Sequence, residues 1–440
     1  MRHLVFILIL VGSVTVGRWV WRQSVAVALI EWADDADSRD LALRYAPDNP
    51  AVIAARAKYL AYRAAVPDTE QGLAGMRRAV SLTPGDYRYW LELGRMAETH
   101  GDQAAAALAL DRARSLAPRH FETHWTWANF KLRNGETEEA IASFHRALLI
   151  SENRPGVTNG RAALNVYDAL TQSLGLDLRT LSQVAPPDEI AQSWLAWYLA
   201  AQGELDPALE IFRRLPRHGD GAAPELAAQL LLAAQRAGRY AEAGEVWTVV
   251  RRFSAAPEKP PAELVENGGF EEAPLTERIA TLRDSGLGFD WVIKRHPEVI
   301  AVRDDDRPYR GGRSMQVSFP RAMTTPYAGL SQLILVEPGR SYQLVFHCRT
   351  QSLASETPWI EVVGLEVGAG AESPSLPLLR SSLPREAVEW QRVELTFAVP
   401  PGVVATRLVL RSPRYDVVDG LRRTRLWLDD LSLTPIGGAH

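Results

Sequence analysis

Residues 84–117 read PGDYRYWLELGRMAETHGDQAAAALALDRARSLA, and residues 118–151 read PRHFETHWTWANFKLRNGETEEAIASFHRALLIS. Laid one under the other, these two stretches of 34 residues agree at their landmarks. Pro84 falls on Pro118, Gly101 on Gly135 and Ala106 on Ala140. Ala79, Ala113 and Ala147 step by 34 twice, as do Met76, Leu110 and Phe144. Farther along, Gly203 and Gly238, Ala208 and Ala243, and Phe212 and Trp247 stand 35 apart. A fixed period of a few tens of residues is the mark of stacked structural repeats. Each period holds two amphipathic helices joined by a turn. Trp90, Leu93, Gly94 and Ala97 share one face of the first helix, and Ala106, Leu110 and Ala113 form the facing stripe of the second. Gly101-Asp102 makes the turn, because glycine accepts the left-handed backbone that ends a helix. Gly94 and Ala106 are small enough to let the two axes approach. Pro118 stops the second helix, since it has no N–H to donate.

Trp90, Leu93, Gly94, Ala106, Leu110, Ala113 and Pro118, with their counterparts one period on, resemble the tetratricopeptide repeat family. The resemblance is specific over residues 53–152 and weaker over 189–253, with a leading half-unit at 42–47 and a departure at 153–188. It implies a right-handed superhelix with a concave face that binds a protein partner and performs no chemistry. Candidate contacts on that face are Arg88, Arg95 and Glu98, then Glu122, Trp125 and Asn129. The competing reading of these residues is a solvated helix face, and their mixed signs select no class of peptide. His120 and His124 are four apart, as two metal ligands on one helix would be, but no third ligand accompanies them.

Past residues 254–263, SAAPEKPPAE, the pattern changes. Three prolines predict an extended, semi-rigid spacer. Beyond it the period is two. Tyr342, Leu344, Phe346 and Cys348 alternate with Gln343 and His347, and Val393, Leu395, Phe397 and Val399 alternate with Glu394 and Thr396. Glycine- and proline-rich turns such as Glu337-Pro338-Gly339 and Pro400-Pro401-Gly402 separate the runs. Short alternating strands with regular turns predict an antiparallel β-sandwich. Cys348 falls on the apolar side and reads as an inert core thiol.

An ordered set of segments runs through this region: LVENGGFE at 264–271, GGRSMQV at 311–317, VEPGRSY at 336–342, WQRVELTF at 390–397 and LDDLSL at 428–433. The set looks like jelly-roll carbohydrate-binding modules of the 4/9 type, within the galactose-binding-like group. That resemblance implies a structural calcium held by the opening Glu271 and the closing Asp429 or Asp430, the alternative being a hydrogen-bonded acid pair at strand ends. It also implies sugar binding, which needs exposed aromatic faces. Trp390 and Trp427 stand in framework segments and read as core, which leaves Trp359, then Trp291 and Tyr415, as glycan platforms. The run Arg303-Asp304-Asp305-Asp306-Arg307 reads as a solvated turn with local ion pairs.

The whole chain has 440 residues, with 49 Lys+Arg against 53 Asp+Glu, a balance that argues against nucleic acid as the main partner. Its single cysteine excludes an intramolecular disulfide framework and a cysteine-rich metal site. Residues 4–17 carry no charge and are mostly apolar, Arg2 precedes them, and Arg18, Trp19, Trp21 and Arg22 follow. Fourteen residues fall short of the roughly 20 a full span needs, but snorkelling arginine and interfacial tryptophan extend the segment. The small-x-small triplet Ala26-Val27-Ala28 lies well past the run, so an uncleaved anchor is expected rather than a cleaved signal peptide. No Gly-x-Ser-x-Gly elbow, phosphate loop or His-Glu-x-x-His is present, so no enzyme is expected.

The expected organisation is a multidomain α plus all-β chain: a membrane segment at 1–23, a repeat superhelix at 24–253, a spacer at 254–263 and a jelly-roll sandwich at 264–436. The expected function is a non-catalytic, membrane-tethered adaptor, largely periplasmic or extracytoplasmic, that holds a protein through its repeats and glycan through its sandwich. The pairing of these modules suggests surface polysaccharide assembly or export in bacteria. The alternative is a purely structural envelope scaffold whose sandwich binds protein and no sugar.

Overall fold

The structure is a computed structural model that describes residues 2–33, 35–152, 159–215, 223–251, 262–274, 288–320, 322–351, 358–368, 376–415 and 424–437, residues 2–12, 152, 159 and 223–225 by backbone only. Among these residues fourteen helices precede ten strands. The chain forms two compact units, Met1–Ala191 and Gln192–His440.

The first unit is helical. It runs α1 (Arg2–Trp32), α2 (Ala36–Tyr45), α3 (Pro50–Tyr62), α4 (Thr69–Leu82), α5 (Tyr87–His100), α6 (Gln103–Leu116), α7 (Phe121–Arg133), α8 (Thr137–Glu152), α9 (Asn159–Leu174) and α10 (Leu178–Val184). The pair α5–α6 shows how one period folds. Asp86 caps α5 by accepting the N–H of Arg88. Gly101, at φ +88°, closes that helix in the left-handed conformation. Asp102 then accepts the N–H of Ala105 at 3.0 Å and starts α6. Leu91, Leu93, Met96 and Ala97 of α5 are buried with Ala106, Ala109, Leu110 and Ala113 of α6. A Cβ on Gly94 would stand 2.5 Å from Cγ of Leu110, so the close approach expected at Gly94 is made against Leu110.

The first helix is joined to this unit without a break. Ala26 is fully buried with Ala42, Ala46 and Val52. Arg22 Nη2 donates to the Arg44 carbonyl at 3.0 Å, and Asn49 Nδ2 donates to Gln23 Oε1 at 2.6 Å. The boundary expected at residues 23/24 therefore lies inside α1. Among the described residues no helix is long and apolar enough to cross a membrane. The side chains of residues 2–12, which hold most of the apolar run, lie outside the described residues.

The second unit carries most of α11 (Glu189–Ala201), then α12 (Leu205–Arg214), α13 (Ala223–Arg236) and α14 (Tyr240–Val250), before a β-sandwich. Its strands are β1 (Val292–Ile293), β2 (Ile300–Asp304), β3 (Ser314–Phe319), β4 (Tyr327–Leu335), β5 (Ser341–Gln351), β6 (Trp359–Glu366), β7 (Leu376–Ser382), β8 (Ala387–Ala398), β9 (Val403–Ser412) and β10 (Thr424–Pro435). Two antiparallel five-stranded sheets result, in the orders β1-β4-β9-β6-β7 (sheet A) and β2-β3-β10-β5-β8 (sheet B). Their inner faces bury Met315, Val317, Leu344, Phe346, Leu408, Leu410, Leu426 and Leu428. Cys348 lies in this core, where burial pushes its thiol up to about 12. Such a thiol is protonated and inert at neutral pH.

Sheet A is apolar on its outer face too. Leu333, Val363, Leu365, Ala405 and Val409 point away from the core and are nevertheless buried. The hairpin α13–α14 lies there. Trp247 stacks on Phe289 with ring centroids 5.9 Å apart. A Cβ on Gly244 would stand 2.3 Å from Cδ1 of Leu335. The Gly368 N–H donates to the Gly238 carbonyl at 3.2 Å, and the Leu333 N–H donates to that of Gly288 at 2.5 Å. Residues 254–261 of the expected spacer lie outside the described residues.

Candidate functional site

The helical unit presents a groove of about 360 Å³. Successive first helices build it: Ala51, Ala54 and Lys58 from α3, Arg88, Tyr89, Glu92 and Arg95 from α5, and Glu122 from α7. Arg95 Nη2 donates to Glu122 Oε1 and to Thr126 Oγ1, both at 2.9 Å. Arg88 is held by Asp86, with 2.6 Å from Nη2 to Oδ2, and keeps most of its surface in solvent. Tyr62 lies beside Glu92; burial, and then the negative charge of Glu92, drive its hydroxyl well above the usual range. Of the six expected contacts, Arg88, Arg95 and Glu122 share this groove. Glu98 is drawn instead into a bidentate pair with Arg133, at 2.7 and 2.8 Å. Trp125 stacks on Phe121 and meets Phe144 edge-on. Asn129 Nδ2 donates to the Trp125 carbonyl at 2.8 Å. His124 bonds the Pro118 carbonyl at 3.0 Å, a structural contact.

The three aromatic residues expected as glycan platforms occupy different settings. Trp291 is 2% exposed, and its Nε1 donates to the Asn267 carbonyl at 3.0 Å, so it is a core residue and offers no face to a ligand. Trp291 directly precedes the two-residue strand β1, which is too short to carry an alternation that would mark it as core. Tyr415 is half-buried, with its hydroxyl donating to the Pro320 carbonyl at 2.7 Å. Trp359 is half-buried on the outer face of sheet A, and the Arg380 guanidinium lies over its ring at 3.8 Å.

The acid pair is a backbone staple. Asp429 Oδ2 accepts the N–H groups of Tyr309 and Arg310 at 2.7 and 3.0 Å, and Oδ1 accepts that of Asp430 at 2.7 Å. Glu271 Oε1 accepts those of Gly312 and Arg313 at 2.9 and 3.2 Å. Both carboxylates stand beside Gly269, Asp429 holding the start of the 309–313 loop and Glu271 its end. Asp430, at φ +49°, sits in a β-bulge of β10 and faces His347 Nδ1 at 3.7 Å. Burial raises Asp429 to about 6 even though three N–H bonds favour its charged form. Among the described residues no group of three or more His, Cys, Asp or Glu could hold a metal ion.

The outer face of sheet B carries residues that the sequence reading placed elsewhere. The acidic turn is not merely solvated: Asp304 Oδ2 accepts from Trp427 Nε1 and from Gln316 Nε2, each at 2.7 Å. Arg349 stacks over Trp427 at 4.2 Å and donates to the Asp306 carbonyl at 3.0 Å. Trp390 points outward, half-buried, and its Nε1 donates to the Arg307 carbonyl at 2.9 Å. Beside it Tyr309 stacks on His347, ring centroids 3.6 Å apart. Strand parity holds the signal for Trp390: Val393, Leu395 and Phe397 point inward, which turns residue 390 outward.

No family model matches the chain, and no curated protein matches it. Among solved structures it is similar to one described as "CBM4 structure and function", 16% identical over 39% of this chain and 99% of that one, with a TM-score of 0.26. A second is the CBM22-1 xylan-binding domain from Paenibacillus barcinonensis Xyn10C, 12% identical over 39% of this chain and 94% of that one, with a TM-score of 0.26. A third is the crystal structure of MamA protein, 14% identical over 43% of this chain and 96% of that one, with a TM-score of 0.31. At these scores the likenesses are coarse and assign no residue a role.

Proposed function

We propose that this chain is a non-catalytic adaptor whose helical unit takes an extended segment of a protein partner in the groove between α3, α5 and α7. The groove itself carries the reading. Its walls offer both charge signs from Lys58, Arg88, Glu92 and Arg95, aromatic surface from Tyr89, and a floor of small residues, Ala51 and Ala54. Such a floor leaves room for a backbone, and such walls hold its polar groups. A photo-crosslinker at position 89 should capture partner segments that the same probe at Leu108, 72% exposed on α6, does not. Arg95→Ala should reduce capture from position 89. Equal yields from the two positions, or yields indifferent to Arg95, would remove the reading.

The sandwich would contact glycan through the outer face of sheet B, since α13–α14 covers the outer face of sheet A around Leu335. That cover also favours a second reading, in which the sandwich is structural and binds no sugar. The tether to an envelope membrane, with the bulk of the chain extracytoplasmic, belongs to the same proposal. Val14, Val16, Trp19 and Trp21 are exposed apolar side chains on α1, interspersed with Arg18 and Arg22. Their arrangement suits a helix entering a lipid interface. The full chain should stay with membranes in alkaline carbonate, whereas a chain lacking residues 2–21 should be released. Release of both forms would rule the tether out.

A further inference from the structure

The outer face of sheet B bears an aromatic corner in which Tyr309 is exposed and Trp390 is half-buried, with the Arg349 guanidinium over one face of the Trp390 ring at 5.6 Å. Tyr309 is 46% exposed although one face of its ring lies flat on His347. Its other face is therefore the one open to solvent. Trp390 meets it at an interplanar angle of 64° with centroids 6.1 Å apart, so the two rings form adjoining walls. Register fixes the arrangement: His347 of β5 faces Arg392 of β8, and Trp390 lies two residues along on the same face. The Asp429 staple holds the Tyr309 backbone from beneath.

The rim of this corner is charged but balanced. Arg307 pairs with Glu389 at 3.3 Å, Arg310 with Asp430 at 3.9 Å, and Arg392 with Glu394. The arginine side chains are 59, 79 and 55% exposed. Each pair offers donors and acceptors side by side with no net charge. That combination suits hydroxyl groups, which donate and accept at once. An anionic ligand would have to displace the paired carboxylates, whereas a neutral polyol would not.

We propose that Tyr309 and Trp390 form a pyranose-stacking platform on the outer face of sheet B, with the Arg307, Arg310 and Arg392 pairs as its hydroxyl-binding rim, and that its ligand is a neutral polysaccharide. This deepens the glycan half of the function proposed above and rests on it. The full chain is run on affinity gels containing hydroxyethylcellulose, galactomannan, arabinoxylan or alginate. Retardation on at least one neutral gel is expected. Tyr309→Ala, which leaves the backbone N–H bonded to Asp429, should weaken it about tenfold through loss of stacking. Tyr309→Phe should retain it, and thermal melts of both variants should match the unmodified chain. Retardation that survives Tyr309→Ala but vanishes with Trp359→Ala would overturn this site and leave the glycan reading standing. Retardation on alginate alone would overturn the neutral ligand class. No retardation on any gel would remove the glycan reading and this platform together.

Discussion

Gly268→Ala should destabilise the β-sandwich by about 3–5 kcal/mol, although it adds a single methyl group. That methyl would lie 1.9 Å from the carbonyl oxygen of Leu431, 3.0 Å from its carbon and 3.3 Å from its nitrogen. All three atoms are backbone, so no side chain can turn aside to relieve the clash. The Gly268 carbonyl also accepts the N–H of Leu431 at 3.0 Å, which fixes the two segments at this separation. The only relief is to push the opening segment off β10 at its bulge, between Asp429 and Ser432. Gly269→Ala is the control, because its Cβ would meet nothing nearer than 3.7 Å. Denaturant unfolding followed by tryptophan fluorescence compares the two. Equal midpoints would show that the contact at Gly268 is not closed in solution.

The second large effect is expected at Asp429. Its side chain is 0% exposed and is the acceptor for three backbone N–H groups. Asp429→Ala strands those donors at roughly 1–3 kcal/mol each. It also relieves the cost of a buried charge. A carboxyl raised from 3.8 to about 6 costs the fold roughly 3 kcal/mol once ionised, at about 1.4 kcal/mol per unit. The stranded donors outweigh that relief, so a net loss of about 2–4 kcal/mol is expected at pH 7.5. The raised value also sets the pH dependence. The folded state binds this proton more tightly than the unfolded state does. Its contribution to stability is therefore fully present below about pH 4 and is lost as the pH rises through about 6. Relative to Asp429→Asn, which does not titrate, the unmodified chain should be more stable at pH 5 than at pH 7.5. An identical pH profile for the two would mean that the carboxyl is not buried as described.

The helical hairpins were legible because each is specified within one period. Asp86, Gly94, Gly101 and Asp102 act on neighbours along the chain or on the next helix, so their spacing carries the geometry. The sandwich was legible wherever one strand face is polar. In β5 the alternation of Leu344, Phe346 and Cys348 with Gln343 and His347 reads directly, and the inward set is the core. The groove of the helical unit was half legible: Arg88, Arg95 and Glu122 meet in it, whereas Glu98 is claimed by Arg133, a side chain 35 residues away.

The sequence by itself determined a repeating α-helical half followed by an antiparallel β half, since periods of 34 and of two are properties of consecutive residues. It also determined which residues of β5 face inward. Only the tertiary structure decided that sheet A is covered on both faces, that Trp291 is core, and that Asp429 serves the backbone of a loop 120 residues upstream. The reason is that burial and hydrogen-bond partnership across a sandwich depend on which distant segments meet. Local alternation gives the side a residue points to, and says nothing of what, if anything, lies against it.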